Sequence, residues 1–402
     1  MIIINSKNKI ILIGFLLTFF SSFGQTFFIS LFADKILGDF NIGYSLWGSI
    51  YFLGTITSAV SMIFFGGLID KYSPQKIIFI FFILYSLACF MMALNKFIIF
   101  LIFTIFLLRF CGQGMLSHIA IVITSKFFDK KRGKAIAIVT LGFSLAESLL
   151  PIIFVNLMKI YSWEQCWIIA GFVLLIFNLS LILIIKNKNL KTKKNKKNLI
   201  DKKGMKKHYW NRNDMLKNWV FWFSMPAFIV QPGFTTIFFF QQIQFVKEKN
   251  WIIEEYVSLL PIYTFSSLIG LFLGGHIIDK FGVKSLLPFF LLPLCLGLFI
   301  SHNAIDLVHM SVAFSLLGVM QGLGAVIFGA FWPEFYGTRN LGSIRSLATS
   351  TMIFSTAIGP LLSGYLLEMN IYVENQYLLF ALVTLLSSVG MIIISLFTKK
   401  YF

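Results

Sequence analysis

The chain has 402 residues, of which 58% are hydrophobic and only 12% charged, with a mean hydropathy of +0.85. A soluble domain carries roughly 25% charged residues, so most of this surface faces something other than water, and a water-soluble globular protein is excluded. The net charge of +18 would suit a nucleic-acid partner, yet its distribution along the chain excludes one. The 48 Phe residues are consistent with a genome-wide compositional bias and carry no functional weight.

An apolar run of about 20 residues crosses a bilayer. Lys7 and Lys9 precede such a run, Ile10 to Phe32, which is too long for a signal-peptide core and is followed by no small-x-small cleavage site. It is read as a retained span 1. Further apolar runs predict spans 2 to 6 near 45–69, 76–94, 97–125, 134–158 and 165–185, and spans 7 to 12 near 219–246, 256–278, 284–301, 306–332, 342–367 and 376–397. Cys89, Cys111, Cys166 and Cys295 fall inside spans, far apart, with neither metal-ligand nor disulfide spacing, and read as small apolar fillers.

Lysine and arginine orient the chain. With the N-terminus inside, the cytoplasmic segments hold 28 Lys/Arg and the outer loops five: Lys35, Lys96, Lys159, Lys247 and Lys249. Both termini are therefore expected in the cytoplasm of a multi-pass inner-membrane protein. Thirteen of the cytoplasmic positives lie between Lys186 and Lys217. That stretch lacks the aromatic interleaving of a nucleic-acid surface and reads as an inside-positive linker near anionic headgroups. It divides the chain into an N-terminal six-helix bundle (1–185), a basic cytoplasmic linker (186–217) and a C-terminal six-helix bundle (218–402).

The two bundles repeat each other. An offset of 209 residues relates Asp70 to Asp279, Gly66 to Gly275, Gly24 to Gly233, Gly133 to Gly342 and Pro151 to Pro360. The segments GGLIDKYSPQK (66–76) and GGHIIDKFGVK (274–284) follow spans 2 and 8. They resemble the Gly-x-x-x-Asp-Arg/Lys-x-Gly-x-Lys loop of major facilitator superfamily transporters, with Ser73 in place of a glycine that the second copy keeps as Gly282. The resemblance covers the whole chain. It implies an all-α membrane protein of twelve helices in two pseudo-symmetric bundles. It also implies a gating motif (Gly66, Asp70, Lys71, Gly275, Asp279, Lys280) that holds the inner side closed until the bundles rock. Glu334, Arg339 and Arg345, flanking the connection of spans 10 and 11, suggest a matching charge cluster; Asp129 to Arg132 occupy the equivalent place in the first half.

A charge deep in a bilayer is expensive and marks function by default. Two qualify, Arg109 in span 4 and Glu147 in span 5, of opposite sign and similar depth. They read either as a fixed ion pair or as a working one, in which Arg109 binds an anionic group and Glu147 exchanges a proton. A buried carboxylate that loses its cation takes a proton more readily. The segment RFCGQG (109–114) resembles the family's proton-linked Arg-x-x-Gln-Gly-x-Gly motif, one residue out of register. Gln25, Gln113, Gln231 and Gln321 sit at mid-span in spans 1, 4, 7 and 10, the helices that line the central cavity in this family. They are candidate substrate contacts or, individually, interhelical glue. His118 is a candidate relay or a satisfied interface residue. Val230-Gln-Pro-Gly233 is expected to break span 7.

No nucleophile–base pair, metal-ligand cluster or phosphate-cradling loop marks an enzyme, and no cofactor, metal or nucleic acid is implied. The expected function is a proton-coupled secondary transporter, monomeric in the lipid bilayer, carrying a small-molecule solute. The drug-antiporter signature is missing from span 5, which favours an organic anion, although span 8 lacks the cation usual in monocarboxylate carriers. The alternatives are a transporter-like solute sensor and a drug or metabolite efflux antiporter.

Overall fold

The computed structural model describes residues 6–66, 68–127, 132–185, 204–205, 208–337 and 341–398, and no strand occurs among them. The chain divides into two compact units, Met1–Asn195 and Lys196–Phe402, at a boundary inside the expected linker.

In the first unit, span 1 is not one helix. It runs as α1 (Ser6–Phe20), a 3-10 turn (Ser21–Gly24), α2 (Thr26–Ile29), a second 3-10 turn (Ser30–Phe32) and α3 (Ala33–Phe40). The chain bends by 46° where Gln25 takes an extended backbone (φ −91°, ψ 156°). Span 2 is α4 (Tyr44–Phe65), followed by α5 (Leu68–Lys71), and span 3 is α6 (Pro74–Leu94). Span 4 joins α7 (Ile98–Leu108) to α8 (Ser117–Phe127) through a π-helical stretch, Arg109–Leu116. Spans 5 and 6 are α9 (Arg132–Leu157) and α10 (Trp163–Ile185).

The second unit opens with α11 (Arg212–Leu216), fixed by a capping box between Asn211 and Asp214. Span 7 is α12 (Trp219–Phe240), and the short α13 (Gln242–Glu248) and α14 (Ile253–Val257) lead to α15 (Leu260–Phe281), span 8. Then come α16 (Leu292–His302), α17 (Leu307–Tyr336), α18 (Leu341–Glu368) and α19 (Val373–Phe397) for spans 9 to 12. By length and composition alone, eight helices among the described residues can cross a membrane, or nine if the bent first span counts as one; Trp163–Leu179 and Leu292–His302 are apolar but shorter.

Lipid tails are as apolar as leucine, so helices in a bilayer associate by close packing rather than by the hydrophobic effect. The α15–α17 contact is built on that rule. A methyl group on Gly318 would stand 2.2 Å from the Tyr263 carbonyl oxygen, and one on Gly322 2.0 Å from that of Ser267. Hydroxyls buried in the spans bond to a carbonyl one turn back, as Ser86, Thr104, Thr124, Ser301 and Thr384 do. Such pairing spares each span an unsatisfied polar group.

The expected break in span 7 does not occur, and α12 runs unbroken through Pro226 and Pro232. Hydroxyls take up carbonyls near the second proline: Ser355 Oγ donates to Ile229 O and Thr235 Oγ1 to Gln231 O. The linker also departs from expectation. Residues 186–203 and 206–207 lie outside the described residues, but the remainder packs on the second unit. Trp210 is buried edge-on against Tyr336 (5.3 Å between centroids), and its Nε1 donates to Met205 O at 3.1 Å.

Candidate functional site

The bend at Gln25 interrupts the hydrogen-bond ladder of span 1 and leaves carbonyls there without helical donors. Arg109, at the start of the π-helical stretch of span 4, meets them. Its Nη1 donates to Gly24 O and to Thr26 Oγ1, both at 3.3 Å. The guanidinium also lies over the Tyr51 ring, 5.3 Å from its centroid, and the Tyr51 hydroxyl bonds Thr26 Oγ1 at 2.7 Å. A π turn widens a helix by one residue and is frequent at functional sites.

Two glycines allow this approach. A methyl group on Gly24 would stand 2.1 Å from Leu108 O, and one on Gly112 2.3 Å from the Tyr85 hydroxyl, which itself donates to Ser21 O at 3.0 Å. Arg109 is fully buried, yet its Nε and Nη2 have no hydrogen-bond partner among the described residues. The geometry thus presents a guanidinium edge with free donors, held by neutral acceptors.

Glu147 in α9 is also buried, 6% exposed, and makes no hydrogen bond or ion pair among the described residues. Arg109 and Glu147 do not pair: no Arg109 nitrogen comes within 4.0 Å of a Glu147 oxygen. Gln25 and Gln113 are half-buried near this site. His118 turns elsewhere, its Nε2 3.1 Å from the carbonyl of Gly66, so it ties span 4 to the first glycine of the loop motif.

In the second unit, Gln231 donates through Nε2 to Gln321 Oε1 at 3.1 Å, joining α12 to α17. The second loop motif is anchored by Glu334, whose Oε2 accepts from the backbone N–H of Val283 at 3.0 Å, just after Gly282 at φ +77°. Asp279 and Lys280 are exposed, and the Lys280 ammonium stands 5.1 Å from the centroid of the Phe281 ring. Gly275 packs openly, a methyl there coming no closer than 3.9 Å to Val326. The Asp70, Lys71 and Arg345 side chains, with Asp129, Lys130, Lys131 and Arg339, lie outside the described residues.

Sequence reasoning missed the neutral partners of Arg109. Tyr51 and Thr26 carry no charge to mark them in an apolar span; the only hint was their place near mid-span with Arg109. It also missed a clasp at the far end of the second unit. There Glu248 accepts from Val373 N at 2.9 and 3.1 Å and from Glu374 N at 3.4 Å, capping α19, while Lys249 pairs with Glu374.

The fold and site define a polytopic all-α membrane protein with a buried cationic centre. The Major Facilitator Superfamily model matches residues 14–251 and 244–401, and the chain belongs to that family of transporters. No curated protein sequence matches it significantly. Among solved structures it is similar to the nucleoside transporter NupG (14% identity, TM-score 0.73, 97% of this chain and 98% of that one). It is also similar to a bacterial homologue of the human lysosomal transporter Spinster in an inward-facing, unoccupied conformation (15% identity, TM-score 0.68, 98% and 96%). At these identities the likeness establishes the fold.

Proposed function

We propose that the chain is a secondary transporter that moves a small organic anion across the inner membrane by alternating access, coupled to a proton, with both termini in the cytoplasm. Arg109 is the cation that recognises the anion and Glu147 is the proton carrier. The observation that carries the reading is the buried guanidinium whose Nε and Nη2 find no acceptor among the described residues. A buried charge costs several kcal/mol unless it is paired, and a carboxylate or phosphate matches the free edge of an arginine bidentately. Glu147, buried with no cation paired to it among the described residues, fits a group that is neutral for part of a cycle.

Purified protein in liposomes, screened against mono- and dicarboxylates, phosphorylated solutes, sugars, amino acids and nucleosides with and without a proton gradient, tests this. An anion is expected to be taken up against its gradient when a proton gradient is applied. Arg109→Gln is expected to abolish uptake, and Arg109→Lys to recover only part of it, because an ammonium cannot reproduce the two-pronged contact. Glu147→Gln is expected to retain binding and downhill exchange but lose accumulation. Normal anion transport by Arg109→Gln would sink the recognition role, and undiminished accumulation by Glu147→Gln the coupling role. Uptake of nucleosides alone, untouched by Arg109→Gln, would favour a neutral solute bound through Gln25, Gln113, Gln231 and Gln321. Solute binding without flux would favour a sensor.

A further inference from the structure

The first unit carries a cavity on the surface formed by α4, α6 and α7. It has a volume of about 540 Å³, within the range of about 300–1,000 Å³ typical of ligand pockets. Its floor is Ile77, Phe81 and Phe110, all 6% exposed or less, and its rim includes the exposed Phe65 and Ile80. Phe110 is fixed by ring contacts to Phe65, Phe81 and Phe106 at 5.6–5.7 Å, so the floor is preformed. Polar groups stand at one end only: the exposed side chains of Tyr72 and Lys76 line the mouth, where α6 begins. Lys76 to Leu84, the α6 lining residue farthest from the mouth, is eight helical positions, or about 12 Å along the axis.

We infer that this cavity is a binding site for an anionic glycerophospholipid, one acyl chain lying along the aromatic floor and the phosphate on Lys76. An apolar slot that descends about 12 Å from Lys76 and Tyr72 has the polarity of one lipid, headgroup outward and tail inward. Charge complementarity decides among lipids. Among the described residues the mouth carries Lys76 and no acidic side chain, so a net-negative headgroup is favoured over a zwitterionic one. Basic residues beside an intramembrane groove on the positive-inside face are a known means of holding anionic headgroups.

The test is native mass spectrometry of the intact, purified protein offered equal amounts of phosphatidylglycerol and phosphatidylethanolamine with identical acyl chains. Wild type is expected to retain one phosphatidylglycerol about fivefold more than phosphatidylethanolamine, the preference one lysine near a headgroup supplies. Lys76→Gln, at an exposed side chain, is expected to erase the preference. Leu84→Trp, which fills the deep end, is expected to lower retention of both lipids, with an unchanged melting temperature as the check on folding. Lys96→Gln, away from the cavity, is expected to change nothing. Equal retention of both lipids by wild type, or a preference that survives Lys76→Gln, would show only annular lipid and overturn the site. A protein dimer that excludes lipid and is lost in Leu84→Trp would assign the slot to a second copy instead.

Discussion

Ser73 and Gly282 hold equivalent places in the two loop motifs, and the structure explains why one copy dispenses with glycine. Ser73 sits at φ −65°, ψ 135°, an extended backbone open to any residue, where it precedes Pro74 at the first turn of α6. Gly282 sits at φ +77°, and its turn is tied to Glu334 through Val283 N. A side chain at φ +77°, ψ 165° costs about 1–3 kcal/mol and would also press on the Glu334 carboxylate, 3.2 Å from a methyl group. Gly282→Ala is therefore expected to lower the thermal midpoint of the purified protein, while Ser73→Ala, whose hydroxyl makes no capping bond, leaves it within error. Equal effects of the two substitutions would refute the conformational argument. Arg109 was legible from sequence because a charge in an apolar span announces its cost. Its pairing with a helix carbonyl, a threonine and a tyrosine ring was not, since neutral acceptors leave no charge pattern to read.

At the scale of elements, proline was the wrong guide to irregularity. Span 7 contains Pro232-Gly233 and stays helical, because hydroxyls on neighbouring turns and on α18 take up nearby carbonyls. Span 1 contains no proline and breaks at Gln25, where a guanidinium from another helix rewards the break. That reward is tertiary and invisible to a local reading. Gly24→Ala places a methyl 2.1 Å from Leu108 O; it is expected to split spans 1 and 4 and to abolish uptake along with part of the stability, measured as transport and melting temperature together. Glu248 offers a pH test on a different element. Burial, reinforced by the nearby Glu374, pushes its carboxyl above the ordinary 4.5, outweighing the helix-capping bonds that favour the anion. The folded state thus binds the proton more tightly than the unfolded one, so this group's contribution to stability is full below pH 4.5 and is lost as pH rises through the raised value. The melting temperature of Glu248→Gln is expected to lack that component of pH dependence, and an identical profile for wild type and variant would remove Glu248 from the account.

For the whole molecule, the apolar runs were enough to read an all-α membrane protein, because a bilayer permits few alternatives to stacked apolar helices, and the resemblance of the two loop motifs supplied the transporter fold. Composition served less well between the bundles. The run from Lys186 to Lys217 reads as uniform basic linker, yet its second half carries the residues of a docked element: Met205, Trp210 and Met215 are buried, and Asn211 and Asp214 close a capping box. Trp210 was the overlooked signal, a large apolar ring within a lysine-rich stretch. Its loss costs about 3–5 kcal/mol when such a ring is fully packed, comparable to the local stability of so short a segment. Trp210→Ala is accordingly expected to undock α11 without unfolding the spans. Arg212 and Lys217 are exposed but held in or beside a helical turn, and a protease needs local opening to cut there. Trypsin cleavage after these two residues is expected to accelerate by at least about tenfold in Trp210→Ala, while the melting temperature of the helical bundles stays near wild type. Trp210→Phe, which keeps the ring against Tyr336 but loses the bond to Met205 O, should fall between. If cleavage after Arg212 and Lys217 is equally fast in all three proteins, the segment is a tether and the basic-linker reading of the sequence stands.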